Sequence, residues 1–189
     1  MSEVQRATIG YPGGLSARYR WGGSGSAEDV FALSEDGGAL TDHAELAGGD
    51  PVRMCRAELR VEGPLGLWTA RFASPVFDEP AGLLWDTQMQ LVIKYGFRVY
   101  GLAARTGELR WSHLSGTPIV AVLGSPRIEH VIVQSEVETM ALDPSGATRW
   151  RVAHSDVIAS AELLGGRLTT TSYGGDVAVF DPASGRPLP

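Results

Sequence analysis

Short strands broken by glycine turns and repeated at a fixed period predict an all-β fold for this chain. Three observations carry that prediction. Residues 137–150, VETMALDPSGATRW, alternate in side-chain type along an extended stretch, break at Asp143-Pro144-Ser145-Gly146, and resume as a second strand holding Trp150. The same design recurs as residues 97–111, FRVYGLAARTGELRW, and 176–187, DVAVFDPASGRP, so that Gly107, Gly146 and Gly185 stand 39 residues apart, as do Trp111 and Trp150. Each hairpin follows another short apolar run, at 91–93, 131–133 and 168–171. A period near forty residues, made of short strands, a glycine turn and a tryptophan, is the mark of blades in a β-propeller.

The turn chemistry explains why the break falls where it does. Asp143 can bond backbone two residues on, Pro144 presets φ, and Gly146 accepts the positive φ that closes the turn. The segments ALDPSGATRW, VFDPASGRP and GLAARTGELRW resemble the pyrroloquinoline-quinone-type (PQQ-like) propeller repeat, whose pattern reads YALDxxTGxxxW. The resemblance covers residues 68–189 well and the first third faintly. Ala103 stands where the repeat prefers Asp, Ser145 and Ser184 where it prefers Thr, and the last copy ends before its Trp. What the resemblance implies is a fold; such repeats serve enzymes, assembly factors and sensors alike, so it implies no single function.

In chain order, residues 1–14 are weakly patterned and end in a Tyr11-Pro12-Gly13-Gly14 turn. Residues 15–21, LSARYRW, alternate and end like the repeat's last strand. Residues 29–33, DVFAL, read as a strand continuing into a degraded hairpin through Ser34-Glu35-Asp36. Trp21, Trp68, Trp111 and Trp150 are 47, 43 and 39 residues apart, leaving room for four strands each time. The expectation is therefore four four-stranded blades near 27–72, 82–113, 117–152 and 157–185, with the orphan strand 15–21 completing the last blade and closing the ring, which removes exposed edges. Two geometries satisfy it: one chain closing on itself, which its single connected length favours, or two chains forming an eight-bladed ring.

Composition narrows the function. The chain has 189 residues, 43% hydrophobic, with 24 glycines, 11 prolines and a net charge of −6, which suits a turn-rich β protein and argues against non-specific nucleic-acid binding. The single cysteine, Cys55, permits no internal disulfide and reads as a strand residue. The start, MSEVQRATIGYPGG, lacks a signal-peptide pattern, and no apolar run is long enough to span a bilayer, so a cytoplasmic location without membrane association is expected.

Quinoprotein dehydrogenases, which the repeat resembles, carry a vicinal cysteine pair and a calcium site of Glu, Asn and Asp. This chain has one Cys and no Asn, so neither that cofactor nor a metal is expected. His113 and His154 lie two and four residues after a repeat tryptophan, with Asp156 two residues further. Asp78-Glu79 fall at the corresponding place in the preceding blade. These residues are either a metal or acid–base set at the ring's mouth or solvated loop residues. The repeat tryptophans read as packing between blades. Trp85, Tyr95 and Phe97 break that register and, with Asp78 and Glu79, are the candidates for a binding surface. No metalloprotease motif, nucleophile elbow or phosphate loop is present. The expected function is a non-enzymatic platform for a protein or peptide partner; the rival is a small enzyme or sensor using the central funnel.

Overall fold

A computed structural model describes residues 3–31 and 37–189. Four sheets follow one another along the chain. The first holds β1 (Gln5–Tyr11), β2 (Leu15–Gly22), β3 (Ala39–Asp42), β4 (Cys55–Gly63) and β5 (Gly66–Ser74) in the order β1-β2-β4-β5-β3. All its pairings are antiparallel except that of β3 with β5. The second is a meander of β6 (Ala81–Trp85), β7 (Gln90–Tyr95), β8 (Arg98–Ala103) and β9 (Leu109–Leu114). The third repeats it with β10 (Ile119–Leu123), β11 (Val131–Ser135), β12 (Glu138–Leu142) and β13 (Thr148–Ala153). The fourth has three strands, β14 (Ile158–Leu164), β15 (Arg167–Ser172) and β16 (Val177–Phe180). A strand meander repeated radially is how a propeller is built, and these four sheets are its blades.

The repeat period has a packing cause. In each hairpin turn the glycine has positive φ: +73° at Gly107, +83° at Gly146 and +70° at Gly185. Each also lies against the tryptophan of the preceding sheet. A Cβ at Gly107 would stand 2.3 Å from the ring of Trp68, one at Gly146 2.8 Å from Trp111, and one at Gly185 2.5 Å from Trp150. Only glycine meets both demands, so the Gly and Trp positions recur together. Asp143 closes its turn as its type requires, with Oδ1 accepting from the backbone N–H of Ser145 (2.9 Å) and Ala147 (3.1 Å).

One carbonyl per turn also ties each sheet to its predecessor. Trp68 Nε1 donates to the Ala104 carbonyl (2.9 Å). At the next seam Trp111 Nε1 donates to Gln90 Oε1 (2.9 Å), and Gln90 Nε2 donates to the Pro144 carbonyl (3.0 Å). At the third seam His130 Nε2 donates to the Pro182 carbonyl (2.7 Å) and stands edge-on to Trp150. His130 thus occupies Gln90's place as a joint between blades.

Three apolar cores fill the three seams. The first joins Tyr19, Leu59, Trp68 and Phe72 of the first sheet to Leu91, Ile93 and Leu102 of the second. The second core lies around Val92, Val99, Val133 and Met140, and the third around Ile132, Ala141, Leu168 and Phe180. Among the described residues no such core joins the fourth sheet to the first. A closed ring of four needs four cores. These blades form an open arc.

The expected closing strand is accordingly corrected. Strand 15–21 lies in β2, inside the first sheet, paired with β1 on one edge and β4 on the other. The reason is its alternation: Leu15, Ala17, Tyr19 and Trp21 join Ala57, Leu59 and Val61 on one continuous apolar face. The Pro12-Gly13-Gly14 turn returns a further strand, β1, from the stretch that looked unpatterned. The strand expected at 29–33 is also corrected: Asp29 and Val30 lie in a single helical turn, α1 (Ala27–Val30), and residues 32–36 lie outside the described residues. No helix among the described residues is long and apolar enough to cross a membrane.

Candidate functional site

Across the strands of every sheet run two rims, a turn end and a link end. At one lie the glycine turns and the loops between the first two strands of each sheet. At the other lie the links between sheets and the turns β7–β8, β11–β12 and β15–β16. Most of the residues singled out from the sequence gather at this second end.

Asp78 and Asp156 hold equivalent places there. Each sits in the link before its sheet and caps that sheet's middle hairpin. Asp78 accepts from the Gly96 N–H (2.7 Å) and pairs with Lys94 Nζ (2.8 Å), the chain's only lysine, which is 7% exposed. Asp156 accepts from the Val157 N–H (2.7 Å) and bonds the Gly174 backbone and the Ser172 hydroxyl. Those bonds, the Val157 N–H first, hold its carboxyl below the usual carboxylate range. Glu79 is exposed to solvent.

The histidines are committed elsewhere. His154 Nε2 is bonded to Thr139 Oγ1 (2.6 Å), and its ring stands edge-on to Phe180 across the third seam. Burial lowers its pKa, and the charge of Glu138 partly opposes that. His113, half-buried on β9, also has a lowered pKa, from burial first and then the charge of Arg151. Both imidazoles lie near the Arg151–Glu138 ion pair (2.6 Å). The charge of Glu138 acts to raise the pKa of both imidazoles, while Asp156 is committed to capping a turn.

The aromatic candidates divide the same way. Trp85 closes β6 at the turn end, packs into the second core and lines a cleft with His130. Tyr95 lies at the link end, about 16 Å away along the sheet, five residues past Trp85's partner Gln90 at ~3.3 Å per residue. Tyr95 and Phe97 line one cavity of about 250 Å³ at the seam of the first two sheets, with Ala47, Ala73, Pro75 and Leu114 as further apolar wall. Arg98 lines it too, its guanidinium fixed by bonds to Ser112 Oγ (3.0 Å) and the Leu46 carbonyl (2.8 Å). The chain supplies this cavity from four places: the end of β5, the β7–β8 turn, the end of β9, and the segment after β3.

Arg98 and Leu114 escaped the sequence reading because each sits at a strand end where alternation points to solvent. Leu114 is 61% exposed, at the cavity mouth. The legible signal was the turn Tyr95-Gly96-Phe97, aromatics flanking a glycine. A Cβ at Gly96 would stand 2.0 Å from Ser74 Oγ, so this turn must press against β5, and the cavity opens beside that contact.

No protein-family model matches the sequence, and no curated protein does. Solved structures do. BamB from Moraxella catarrhalis is similar over 98% of this chain, with 16% identity and a TM-score of 0.56. A HIRA fragment, residues 644–1017, is similar over all of it, with 11% identity and a TM-score of 0.53. This chain spans 65% of the first of those chains and 53% of the second. Both are β-propellers, and at such identities the likeness is one of fold. The blade arrangement read from the repeat period is therefore an all-β propeller fold of four blades.

Proposed function

We propose that this protein is a non-enzymatic binding platform of the PQQ-like propeller class, and that a protein or peptide partner docks over its link end. The observation that supports this most directly is the seam cavity. It is walled by Phe97, Leu114, Pro75 and two alanines, and it opens to solvent beside a large exposed leucine. Apolar pockets with few polar groups take side-chain anchors well. An enzyme or sensor built on His113, His154 and Asp156 would need His154 released from Thr139 and Asp156 released from the hairpin it caps. A cytoplasmic, monomeric platform fits the sequence reading.

The test is selection from a displayed peptide library on the immobilised protein, with Leu114→Asp as counter-target. The expected outcome is enrichment of peptides sharing one apolar anchor, each bound at least tenfold more weakly by Leu114→Asp and Phe97→Ala. Enriched peptides that ignore both substitutions would place the binding surface elsewhere and sink this reading.

A further inference from the structure

We infer that the link end of the last three sheets receives a basic amphipathic helix of a partner protein, its large apolar side chains spaced seven residues apart. This rests on the platform reading and deepens it.

The first ground is a row of exposed apolar side chains that runs from sheet to sheet. Leu114 (61% exposed) shares the seam cavity with Phe97 on the second sheet. Val137 (38%) stands at the β11–β12 turn of the third, and Tyr173 (75%) and Val157 (36%) stand together on the fourth. Backbone bonds fix these stations to one another. The Ser115 N–H donates to the Phe97 carbonyl (2.7 Å), the Ile119 N–H to Gly96 (2.8 Å) and the Glu136 N–H to Pro118 (3.1 Å). One sheet on, the pattern repeats: the His154 N–H donates to Val137 (2.8 Å), the Ile158 N–H to Glu136 (2.7 Å) and the Tyr173 N–H to Val157 (2.9 Å). A row held this way has little freedom left to lose when a partner docks on it.

Charge is the second ground. Across these three sheets the link end holds more carboxylates than cations. Lys94 is taken by Asp78 and Arg151 by Glu138. Arg98 is half-buried, with two nitrogens bonded to Ser112 Oγ and the Leu46 carbonyl and Nε buried without a partner. Glu79, Glu136 and Asp176 have no ion pair among the described residues. Each accompanies an apolar group of the rim: Glu79 follows Phe77 by two residues, Glu136 precedes Val137, and Asp176 closes the turn that Tyr173 opens. At the turn end the carboxylates are answered, Asp143 by Arg149 (3.8 Å) and Asp181 by the charge of Arg186. Apolar anchors flanked by unpaired acid match a segment that carries lysine or arginine beside its own apolar groups.

Spacing supplies the rest. Stacked sheets lie ~10 Å apart, so the stations recur at about that interval. A helix rises ~1.5 Å per residue and sets residues seven apart on one face, ~10.5 Å from each other. An extended segment sets like-facing residues ~6.6 Å apart, which meets one station and misses the next. A second copy of this chain does not fit, because its one α-helical turn among the described residues, α1, carries Glu28 and Asp29.

The experiment uses the full chain and a fluorescein-labelled peptide read by fluorescence polarisation. The peptide has leucine at every seventh position over three repeats, lysine on both flanks of that stripe and alanine elsewhere. Its comparisons carry glutamate for each lysine, or proline at the centre to stop helix formation. The lysine peptide should bind at least tenfold more tightly than either, and weaken as salt rises from ~50 to ~300 mM. Val137→Asp and Tyr173→Asp each add negative charge, so they should strengthen mere attraction to an acidic protein but weaken docking on the row, by tenfold or more. Glu136→Lys with Asp176→Lys should reverse the preference toward the glutamate peptide. Should thermal melts show that pair unfolded, Glu79→Lys with Asp176→Lys takes its place. Equal binding of the lysine and glutamate peptides, both lost in Val137→Asp, would overturn the basic partner and leave the platform reading intact. Equal binding of the proline peptide would overturn the helix. Lysine-peptide binding that Val137→Asp and Tyr173→Asp strengthen, or no binding to the unsubstituted protein, would overturn the inference outright.

Discussion

The first and fourth sheets end the same arc in opposite ways. On the first sheet, the face turned from the core is a lattice of charge across strands. Glu62 bonds Arg18 and Arg60, Glu58 bonds Arg71, and the Arg71 guanidinium lies 4.4 Å from the Phe31 ring centroid. The turn α1 packs beside it, burying Val30 completely. The fourth sheet has no such cover among the described residues. Its outward face pairs Thr169 with Val179 and Thr171 with Val177, and Val177 is 62% exposed. In the third sheet the corresponding pair, Ile132 and Ala141, is fully buried beneath the fourth. Repeat arrays need a polar outer face at their ends. Here one end is insulated by charge, and the other only by exchanging isoleucine for threonine.

The largest expected effect breaks the seam at the insulated end. Trp68 is 1% exposed, bonded through Nε1 and pressed on Gly107, so Trp68→Ala should cost ~3–5 kcal/mol in urea denaturation. Trp150 is half-buried and its Nε1 lacks a partner, so Trp150→Ala should cost about half as much. Equal losses would mean that the open end is as firmly built as the insulated one.

The charged cover gives the next effect. The Glu58 side chain is 0% exposed and pairs with Arg71 at 3.2 Å. Arg71→Ala would strand that charge and should cost ~3 kcal/mol. On the bare fourth-sheet face, Glu162→Ala should change stability by no more than ~0.5 kcal/mol. If Arg71→Ala is as mild as Glu162→Ala, the charged lattice is ornament and the comparison between the two ends fails.

The repeat was legible because its period has a local cause, glycine at positive φ beneath a tryptophan, and both residues show in a string. The first sheet was not. Its strands β2 and β4 alternate apolar with Arg or Glu, which marks a strand without naming its neighbour. LSARYRW ends like ATRW, yet the longer apolar partner at Ala57, Leu59 and Val61 captures it. At the link end, aromatics near a glycine turn pointed toward the cavity. The unpaired nitrogen of Arg98 depends on what Ser112 and Leu46 do in space, which no spacing reveals.

Local opening sharpens the contrast at smaller amplitude. Amide hydrogen exchange should be faster for β15 and β16 than for β4 and β5, through opening of the fourth sheet that leaves the other three folded. Uniform protection across all four sheets would show the arc to be one cooperative unit.

The smallest effect is with pH, and it separates the two seams most finely. Each holds a histidine whose pKa burial lowers from 6.5: His43, bonded to the Gly107 carbonyl (3.3 Å) and tilted against Phe72 and Tyr100, and His154, bonded to Thr139 beside Phe180. A lowered folded pKa means that the unfolded chain takes the proton first. Stability is therefore full above about pH 6.5 and declines as pH falls below it toward the folded values. The turn carboxylates Asp143, Asp156 and Asp181, all held below 3.8, stay charged throughout that window and add nothing to the slope. Urea midpoints at pH 7.5 and 5.5 should differ less in His154→Gln and in His43→Gln than in the unsubstituted protein. Because His154 packs on Phe180 of the fourth sheet while His43 lies at the first seam, acid should first speed hydrogen exchange in β15 and β16, and His154→Gln should remove that early change where His43→Gln should not. Unaltered pH dependence in both variants would show that neither seam relies on a neutral imidazole.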